Sequence, residues 1–199
     1  SRVIQNDKED ITEPLVTHSD RYHSKDNYGI NAYPRSVKTY RMLRYLMGEQ
    51  AFSELFHEYY ARYKFRHVYP EDFFNLVQEI NARYNTKKDL YWFFDEWFYK
   101  TYKLDYAFKS MDYQLSNGKY LTSVTVENCA DAVMPADVEI KMENGEKANL
   151  HFEAEQFFNN GRYVTNTIEL FSKPVKAVVD PDIWLLDQNR LNNTSSFIP

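Results

Sequence analysis

The chain has 199 residues, a formal net charge of −5 and an aromatic content of 17%. This length allows one or two domains with a sizeable core, and the many Tyr and Phe residues exclude a disordered chain because buried rings favour folding strongly. The acidic balance argues against a nucleic-acid partner, since no basic stripe can neutralise phosphates, and no apolar run approaches the ~18 residues that a membrane span requires.

The predicted elements begin after a polar N-terminal stretch. Residues 1–30 show no apolar periodicity and are predicted to be irregular. The first helical pattern covers roughly residues 35–47, and Gly48 follows it where a glycine in a left-handed conformation would end the helix. The apolar residues of this pattern recur at steps of three and four, so we expect them on one buried stripe: Val37, Tyr40, Leu43 and Met47.

Three further helical patterns follow in chain order. The second pattern covers roughly residues 50–63. The third begins at Pro70, a favoured first residue of a helix, and its apolar stripe continues to Tyr84. The fourth begins at Asp89, a good N-cap, and continues through Trp97. The short connections between these helices predict antiparallel neighbours in a small helical bundle.

The period of the pattern changes from helical to alternating near Leu104. Six or seven short strands follow, with turn signals at Asn117-Gly118, Asn144-Gly145 and Asn160-Gly161. We expect Asn144-Gly145 to be a two-residue hairpin turn, and the regular spacing predicts an antiparallel β-sandwich. The predicted fold class is therefore α+β and multidomain, with a helical domain over residues 1–103 and a β-sandwich domain over residues 104–199.

Several histidines resemble metal ligands without forming a convincing site. His57 begins a segment similar to the His-Glu-x-x-His zinc motif, but Ala61 stands where the second histidine must lie. His57 is therefore interpreted as a surface residue on a helix. His18 and His23, with Asp20 between them, could chelate a metal, but solvated loop residues explain the same pattern and are the preferred interpretation. The sequence predicts no metal ligand within this chain.

Cys129 is the single cysteine, so no disulfide can form within the chain. Asn128 precedes it and no histidine lies nearby in the sequence, which argues against a thiol nucleophile. The simplest interpretation is a small buried or half-buried hydrophobic residue.

Tyr33 is the strongest candidate for a catalytic residue. It stands immediately before Pro34, at the predicted entrance of the first helix. A tyrosine hydroxyl is protonated at neutral pH and can donate a hydrogen bond, so Tyr33 could stabilise a developing oxyanion beyond the end of the helix. The structural alternative is a tyrosine that only packs at a helix entrance.

The residues around Tyr33 resemble those of a known family. Two motifs in register carry the similarity: Tyr33-Pro34-Arg35-Ser36 and Leu46-Met47-Gly48-Glu49-Gln50-Ala51-Phe52. They resemble the helix of the aminopeptidase N-like zinc metallopeptidases (gluzincin aminopeptidases), in which a catalytic tyrosine opens the helix. Arg35 replaces the usual lysine and Ser36 stands where glycine or proline is common, which leaves the role of the arginine position open.

Later motifs of the same family follow in the same order. They are Tyr69-Pro70-Glu71-Asp72-Phe73-Phe74, the block from Asp89 to Tyr99, Asp131-Ala132-Val133-Met134-Pro135, and the segment from Asp180 to Asn193. The last two resemble the C-terminal β-domain of a bacterial branch. Each motif is weak alone, but together they extend over roughly residues 11–193.

The resemblance implies a function for a larger protein. It implies that the helices are the C-terminal part of a thermolysin-like catalytic domain, and that Tyr33 stabilises the tetrahedral oxyanion during peptide hydrolysis. The His-Glu-x-x-His motif, the third zinc ligand and the loop that holds the substrate amine are missing from this chain. We therefore expect a fragment of a zinc aminopeptidase that is inactive alone and binds no zinc. Its expected partners are a peptide substrate and the N-terminal remainder of the parent protein.

Two alternatives remain open at this stage. The first is a non-catalytic family relative, in which a groove rich in Tyr and Phe binds a peptide or protein as a scaffold. The second, weaker alternative is a free-standing carbohydrate- or protein-binding sandwich, against which the helical half of the chain argues. A periplasmic or secreted location is implied only by the resemblance to the bacterial branch, since no signal peptide is visible in the chain. The pattern does not indicate substrate side-chain preference or oligomeric state.

Overall fold

The computed structural model describes residues 1–84 and 89–195, which form two compact units, Ser1–Tyr102 and Lys103–Pro199. The first unit is helical, and the second contains two antiparallel three-stranded sheets. This arrangement confirms the predicted α+β class, in which helices are followed by a sandwich of antiparallel sheets. Within the described residues, no helix has both the length and the apolar character that crossing a membrane demands.

Over residues 1–84 and 89–102, the first unit is built from α-helices and two short π-helices. Its elements are α1 (Arg2–Lys8), α2 (Lys25–Ile30), the first π-helix (Asn31–Arg35), α3 (Ser36–Met47), α4 (Glu49–Tyr63), α5 (Pro70–Tyr84), α6 (Tyr91–Phe94) and the second π-helix (Asp95–Tyr99). The predicted helices α3, α4 and α5 are confirmed within one residue at each end.

The expectation of an irregular N-terminal stretch was wrong, because α1 and α2 lie within it. Both helices begin at a serine whose side chain accepts a backbone N–H: Ser1 accepts from Ile4, and Ser24 accepts from Asn27 at 3.1 Å. Such caps satisfy donors that a helix start leaves unpaired. Helices of six or seven residues contain too few turns to display a clear apolar period, which explains why the pattern missed them.

The buried stripe of α3 differs from the predicted one. Val37 is 67% exposed, and the fully or nearly fully buried positions of the helix are Thr39, Met42, Leu43 and Met47. Both sets of residues have helical spacing, so periodicity alone did not decide which face would pack. Gly48 ends the helix with a φ of 79°, as predicted, and leads directly into α4.

Aromatic rings form the core between α5 and the end of the first unit. The rings of Phe74 and Phe94 stack with centroids 4.1 Å apart, and Phe98 packs edge-on against both. The prediction that Asp89 begins the fourth helix is partly right: its carboxylate accepts the N–H of Tyr91 at 2.8 Å, although α6 has only four residues. The helical pattern continues through the second π-helix.

In its described residues, the second unit contains six strands, one short α-helix and a 3₁₀-helix at Arg190–Asn192. The elements are β1 (Tyr106–Ser116), β2 (Lys119–Asn128), β3 (Ala136–Met142), β4 (Lys147–Phe152), α7 (Ala154–Asn160), β5 (Tyr163–Leu170) and β6 (Pro174–Val179). One sheet has the order β1-β2-β5 and the other the order β4-β3-β6. All pairings between named strands are antiparallel.

Two of the predicted turns differ in the structure. Asn117-Gly118 forms the predicted tight turn, with positive φ at both residues. Asn144-Gly145 does not form a two-residue turn, since the loop has four residues and the Asn144 side chain accepts the N–H of Glu146. Gly161 ends α7 rather than a hairpin. The helix was missed because its seven residues interrupt an otherwise alternating pattern.

A buried aspartate organises the segment that follows the last strand. The Asp180 side chain, 4% exposed, accepts the backbone N–H groups of Trp184 at 2.8 Å and Leu185 at 3.1 Å, and binds Arg190 at 2.6 Å. Arg190 also donates to the Asp180 carbonyl. One carboxylate therefore satisfies donors from three residues of the closing loop.

Replacing Asp180 with alanine is expected to destabilise the chain by about 2–4 kcal/mol, because it leaves buried donors without an acceptor. The measurement is the free energy of unfolding from urea titration. Asp112→Ala, at an exposed position of β1, serves as the matched control and should change stability by less than about 0.5 kcal/mol. Equal stability of the two variants would contradict this role of Asp180.

An ion-pair network joins α4 to α5 on the surface. Arg62 donates two hydrogen bonds to Glu79, at 2.6 and 2.8 Å, and Arg83 donates to the same carboxylate. The hydrogen bonds from Arg62 are the main cause that lowers the pKa of Glu79 to about 2, and Arg83 adds to the effect. Because the carboxyl pKa is depressed in the folded state, this contribution to stability is present at neutral pH.

The stability difference between the protein and its Glu79→Gln variant should therefore depend on pH. The native chain is expected to melt at a higher temperature near neutral pH, and the difference should disappear as the pH falls from about 4.5 to about 2. Far-ultraviolet circular dichroism gives the melting temperatures. Glu155→Gln, at an exposed position of α7, is the control and should show no such dependence. A pH-independent difference for Glu79→Gln would refute the assignment.

Candidate functional site

Tyr33 lies in the middle of a π-helix rather than at the entrance of a helix. The helical segment starts eight residues earlier, at Lys25, and passes through Asn31–Arg35 into α3. Pro34 has no N–H to donate inside this turn, and Ser36 donates its N–H to the carbonyl of Asn31, five residues back. The Ser36 hydroxyl donates to the same carbonyl at 2.8 Å. The proline therefore explains the widened turn, which the sequence pattern did not predict.

The Tyr33 side chain points away from the core. It is 67% exposed, whereas Asn31 and Arg35, two residues before and after it, are each 3% exposed. Residues two positions apart do not face the same side of a helical turn, which accounts for this alternation. The geometry leaves the phenol accessible to a substrate, while its neighbours bind the rest of the unit.

Asn31 ties the turn to the loop that follows α1. Its Nδ2 donates to the carbonyl of Glu13 at 2.6 Å, and the carbonyl of Pro14 lies at 3.4 Å. The same amide lies 3.3 Å from the hydroxyl of Tyr22. A little further along this loop, the N–H of Val16 donates to the carbonyl of Phe98 in the second π-helix at 3.2 Å. The loop of residues 13–16 therefore connects the two π-helices.

Arg35 ties the other end of the turn to α1. Its guanidinium forms an ion pair with Asp7, and the two side chains are 4% and 1% exposed. The Thr12 hydroxyl donates to the Asp7 carboxylate at 2.6 Å, and Arg35 donates to the Thr12 oxygen at 3.3 Å. Burial lowers the pKa of Arg35, and the Asp7 carboxylate opposes that effect. The sequence left the role of Arg35 open; the structure places it in a buried polar cluster.

The other candidate ligands do not come together. His57 is exposed on α4, with Nδ1 2.9 Å from the carbonyl of Ser53, as expected for a surface histidine. His18 contacts Asp20 in an exposed loop, and the N–H of His23 lies near Glu13 instead. Among residues 1–84 and 89–195, no group of three or more His, Cys, Asp or Glu side chains is placed to hold a metal ion.

Cys129 is exposed, so the expectation of a buried or half-buried residue was wrong. It follows the end of β2, where the chain leaves the sheet. Desolvation raises the pKa of its thiol, and the nearby carboxylates of Asp105 and Glu127 add to the increase. The thiol is therefore poorly suited to act as a nucleophile at neutral pH.

An aromatic pocket lies between α3, α4 and α5. Its volume is about 280 Å³. Desolvation raises the pKa of Tyr40, and the neighbouring Tyr59 adds to the increase. The pocket is apolar and could accept a hydrophobic side chain. Its ring-bearing wall consists of Tyr40, Phe56, Tyr59, Tyr69, Phe73, Phe74 and Phe98.

Sequence reasoning selected Tyr33 as a candidate but missed the residues that hold its turn. Asp7, Thr12 and Asn31 lie in a stretch without periodicity, so no pattern marked them. The available signal was the proline inside a helical segment, with polar residues placed two positions from the exposed tyrosine.

The helical part of the chain is similar to a known protein family. Residues 1–97 match the sequence model of the Peptidase family M1 domain. This segment contains the first π-helix, α3, α4, α5 and most of the aromatic core. No curated protein matches the chain.

Proposed function

Because residues 1–97 of the chain match the Peptidase family M1 domain, we propose that the chain is the C-terminal portion of a zinc-dependent aminopeptidase. This enzyme removes N-terminal residues from peptides. The observation that carries the proposal is the exposed phenol of Tyr33 on a turn that is fixed from within by Asn31 and Arg35. A rigid turn with one accessible donor is the arrangement that an oxyanion site requires.

The proposed chemistry concerns the carbonyl oxygen of the scissile peptide bond. Attack of a water molecule on the carbonyl carbon places negative charge on this oxygen in the tetrahedral intermediate. The Tyr33 hydroxyl donates a hydrogen bond to that oxygen, and by analogy with other oxyanion donors it contributes roughly 2.7–4 kcal/mol to the transition state. Since the charge is greatest in the transition state, the bond accelerates hydrolysis rather than strengthening substrate binding.

We place the metal of this proposed enzyme outside the described part of the chain. Members of the family are zinc metallopeptidases in general, but residues 1–84 and 89–195 contain no arrangement that fits a zinc ion. We therefore assign the zinc ligands, the general base and the substrate-amine site to the N-terminal remainder of the parent protein. The proposed partners of this chain are that remainder and the peptide substrate. From the resemblance to a bacterial branch, we propose a periplasmic or secreted location.

Replacement of Tyr33 with phenylalanine in the full-length enzyme is expected to lower kcat by about 100-fold to 1,000-fold, with little change in KM. The phenol is lost, but the ring and the turn remain. The measurement is steady-state hydrolysis of an aminoacyl-arylamide. Tyr60→Phe is the control, since Tyr60 is also 67% exposed but lies on α4, and it should leave kcat unchanged. An unchanged kcat for Tyr33→Phe would remove Tyr33 from the mechanism.

The 199-residue chain alone is expected to bind no stoichiometric zinc and to release no amino acids from peptides. The full-length protein should contain about one zinc ion per chain, as a mononuclear metallopeptidase does. Metal analysis of both proteins, together with an assay in the presence and absence of a chelator, tests this expectation. Chelator-sensitive hydrolysis by the purified 199-residue chain would contradict it.

The aromatic pocket favours a second candidate function. In a non-catalytic family relative, the pocket between α3, α4 and α5 would bind an apolar side chain of a peptide or protein, without chemistry. The two proposals differ in their expectation for the full-length protein: the scaffold contains no zinc and hydrolyses nothing. Retention of a tyrosine at position 33 favours the enzyme.

A further inference from the structure

The turn that carries Tyr33 is held by a buried ion pair. Burying charged groups to join two helices has a high desolvation free energy. Removing two charges from water is unfavourable, and apolar residues of similar volume often stabilise a fold equally well. The Asp7–Arg35 pair is nevertheless almost completely buried, and Thr12 binds both partners. A contact that only stabilises packing does not require a buried ion pair with hydrogen bonds.

A hydrogen-bonded ion pair depends on the orientation of its groups, whereas an apolar contact does not. The Arg35 guanidinium binds its partners only along its N–H directions, whereas an apolar side chain can slide against its neighbours. Arg35 is two residues from Tyr33 in the same π-helix, and Pro34 stands between them. A fixed guanidinium therefore restricts the rotation of the turn on which Tyr33 lies.

We propose that Arg35, through its buried pairing with Asp7 and Thr12, is a positioning residue that sets the direction of the Tyr33 hydroxyl. The inference rests on the proposed function, because it assigns a task to Arg35 only if Tyr33 acts on substrate. Arg35 itself is 3% exposed and faces α1, so it acts through the turn rather than on the substrate. Asn31 holds the opposite end of the same turn through its hydrogen bond to the carbonyl of Glu13.

The test uses the full-length enzyme and two forms of substitution. Arg35→Lys keeps the charge but loses the planar group, and Arg35→Met with Asp7→Leu replaces the pair by apolar residues that can keep the fold stable. Each should lower kcat by about 10-fold to 100-fold with KM within about twofold, since a displacement of about 1 Å costs that much in rate. The double substitution should retain the melting temperature.

A double-mutant cycle identifies the route of the effect. In a Tyr33→Phe background, Arg35→Lys should lower kcat no further, because the group that it positions is already absent.

Hydrogen exchange supplies a readout that does not need activity. Amides of residues 31–36 should exchange at least about tenfold faster in the Arg35→Lys variant, while those of α5 stay unchanged.

Met42→Ala is the matched control for general destabilisation, because Met42 is fully buried on α3 but is not part of the polar cluster. It should lower the melting temperature without changing kcat.

Three results overturn the proposal: full kcat in both Arg35 variants, multiplicative effects in the cycle, or recovery of both stability and kcat in the apolar double variant. If Tyr33→Phe itself leaves kcat unchanged, the proposed function fails as well. If Tyr33→Phe is impaired and the Arg35 variants are not, only the positioning role fails.

Discussion

Pro34 cannot donate a backbone hydrogen bond, yet it lies inside a continuous helical segment, and the local structure depends on how the chain accommodates this. The turn widens, and the carbonyl of Asn31 accepts both the N–H and the hydroxyl of Ser36. A widened turn changes the directions in which consecutive side chains project. In this chain, the side chains of Asn31 and Arg35 point inward, and the side chain of Tyr33 between them points outward.

The buried polar groups around this turn form a connected set. Asp7 and Thr12 bind Arg35, and the loop of residues 13–16 binds Asn31 on one side and Phe98 on the other. Because a buried polar group without a partner is costly, each of these bonds restricts the others. The accessible tyrosine therefore lies on a support that is continuous with the aromatic core, which is the arrangement that precise positioning requires.

The second unit uses buried carboxylates for a different purpose. Asp180 and Asp187 accept backbone N–H groups from the segment after β6, and Asp187 also accepts the N–H of Tyr106 at the start of β1. Desolvation raises the pKa of both carboxyl groups, and the hydrogen bonds oppose it. Within the motif from Asp180 to Asn193, Asp180 and Asp187 thus organise the segment that closes the second unit.

The sequence by itself determined the α+β class, the bounds of α3, α4 and α5 and the alternating strands, because periodicity, caps and local motifs depend on neighbouring residues. Only the tertiary structure decided which face of α3 packs, since Val37 and Met42 belong to equally regular stripes. It also decided the roles of Asp7 and Arg35, which are 28 residues apart and meet only in the folded chain. The physical reason is that burial and ion pairing depend on which surfaces come together, and no local pattern of residues records that choice.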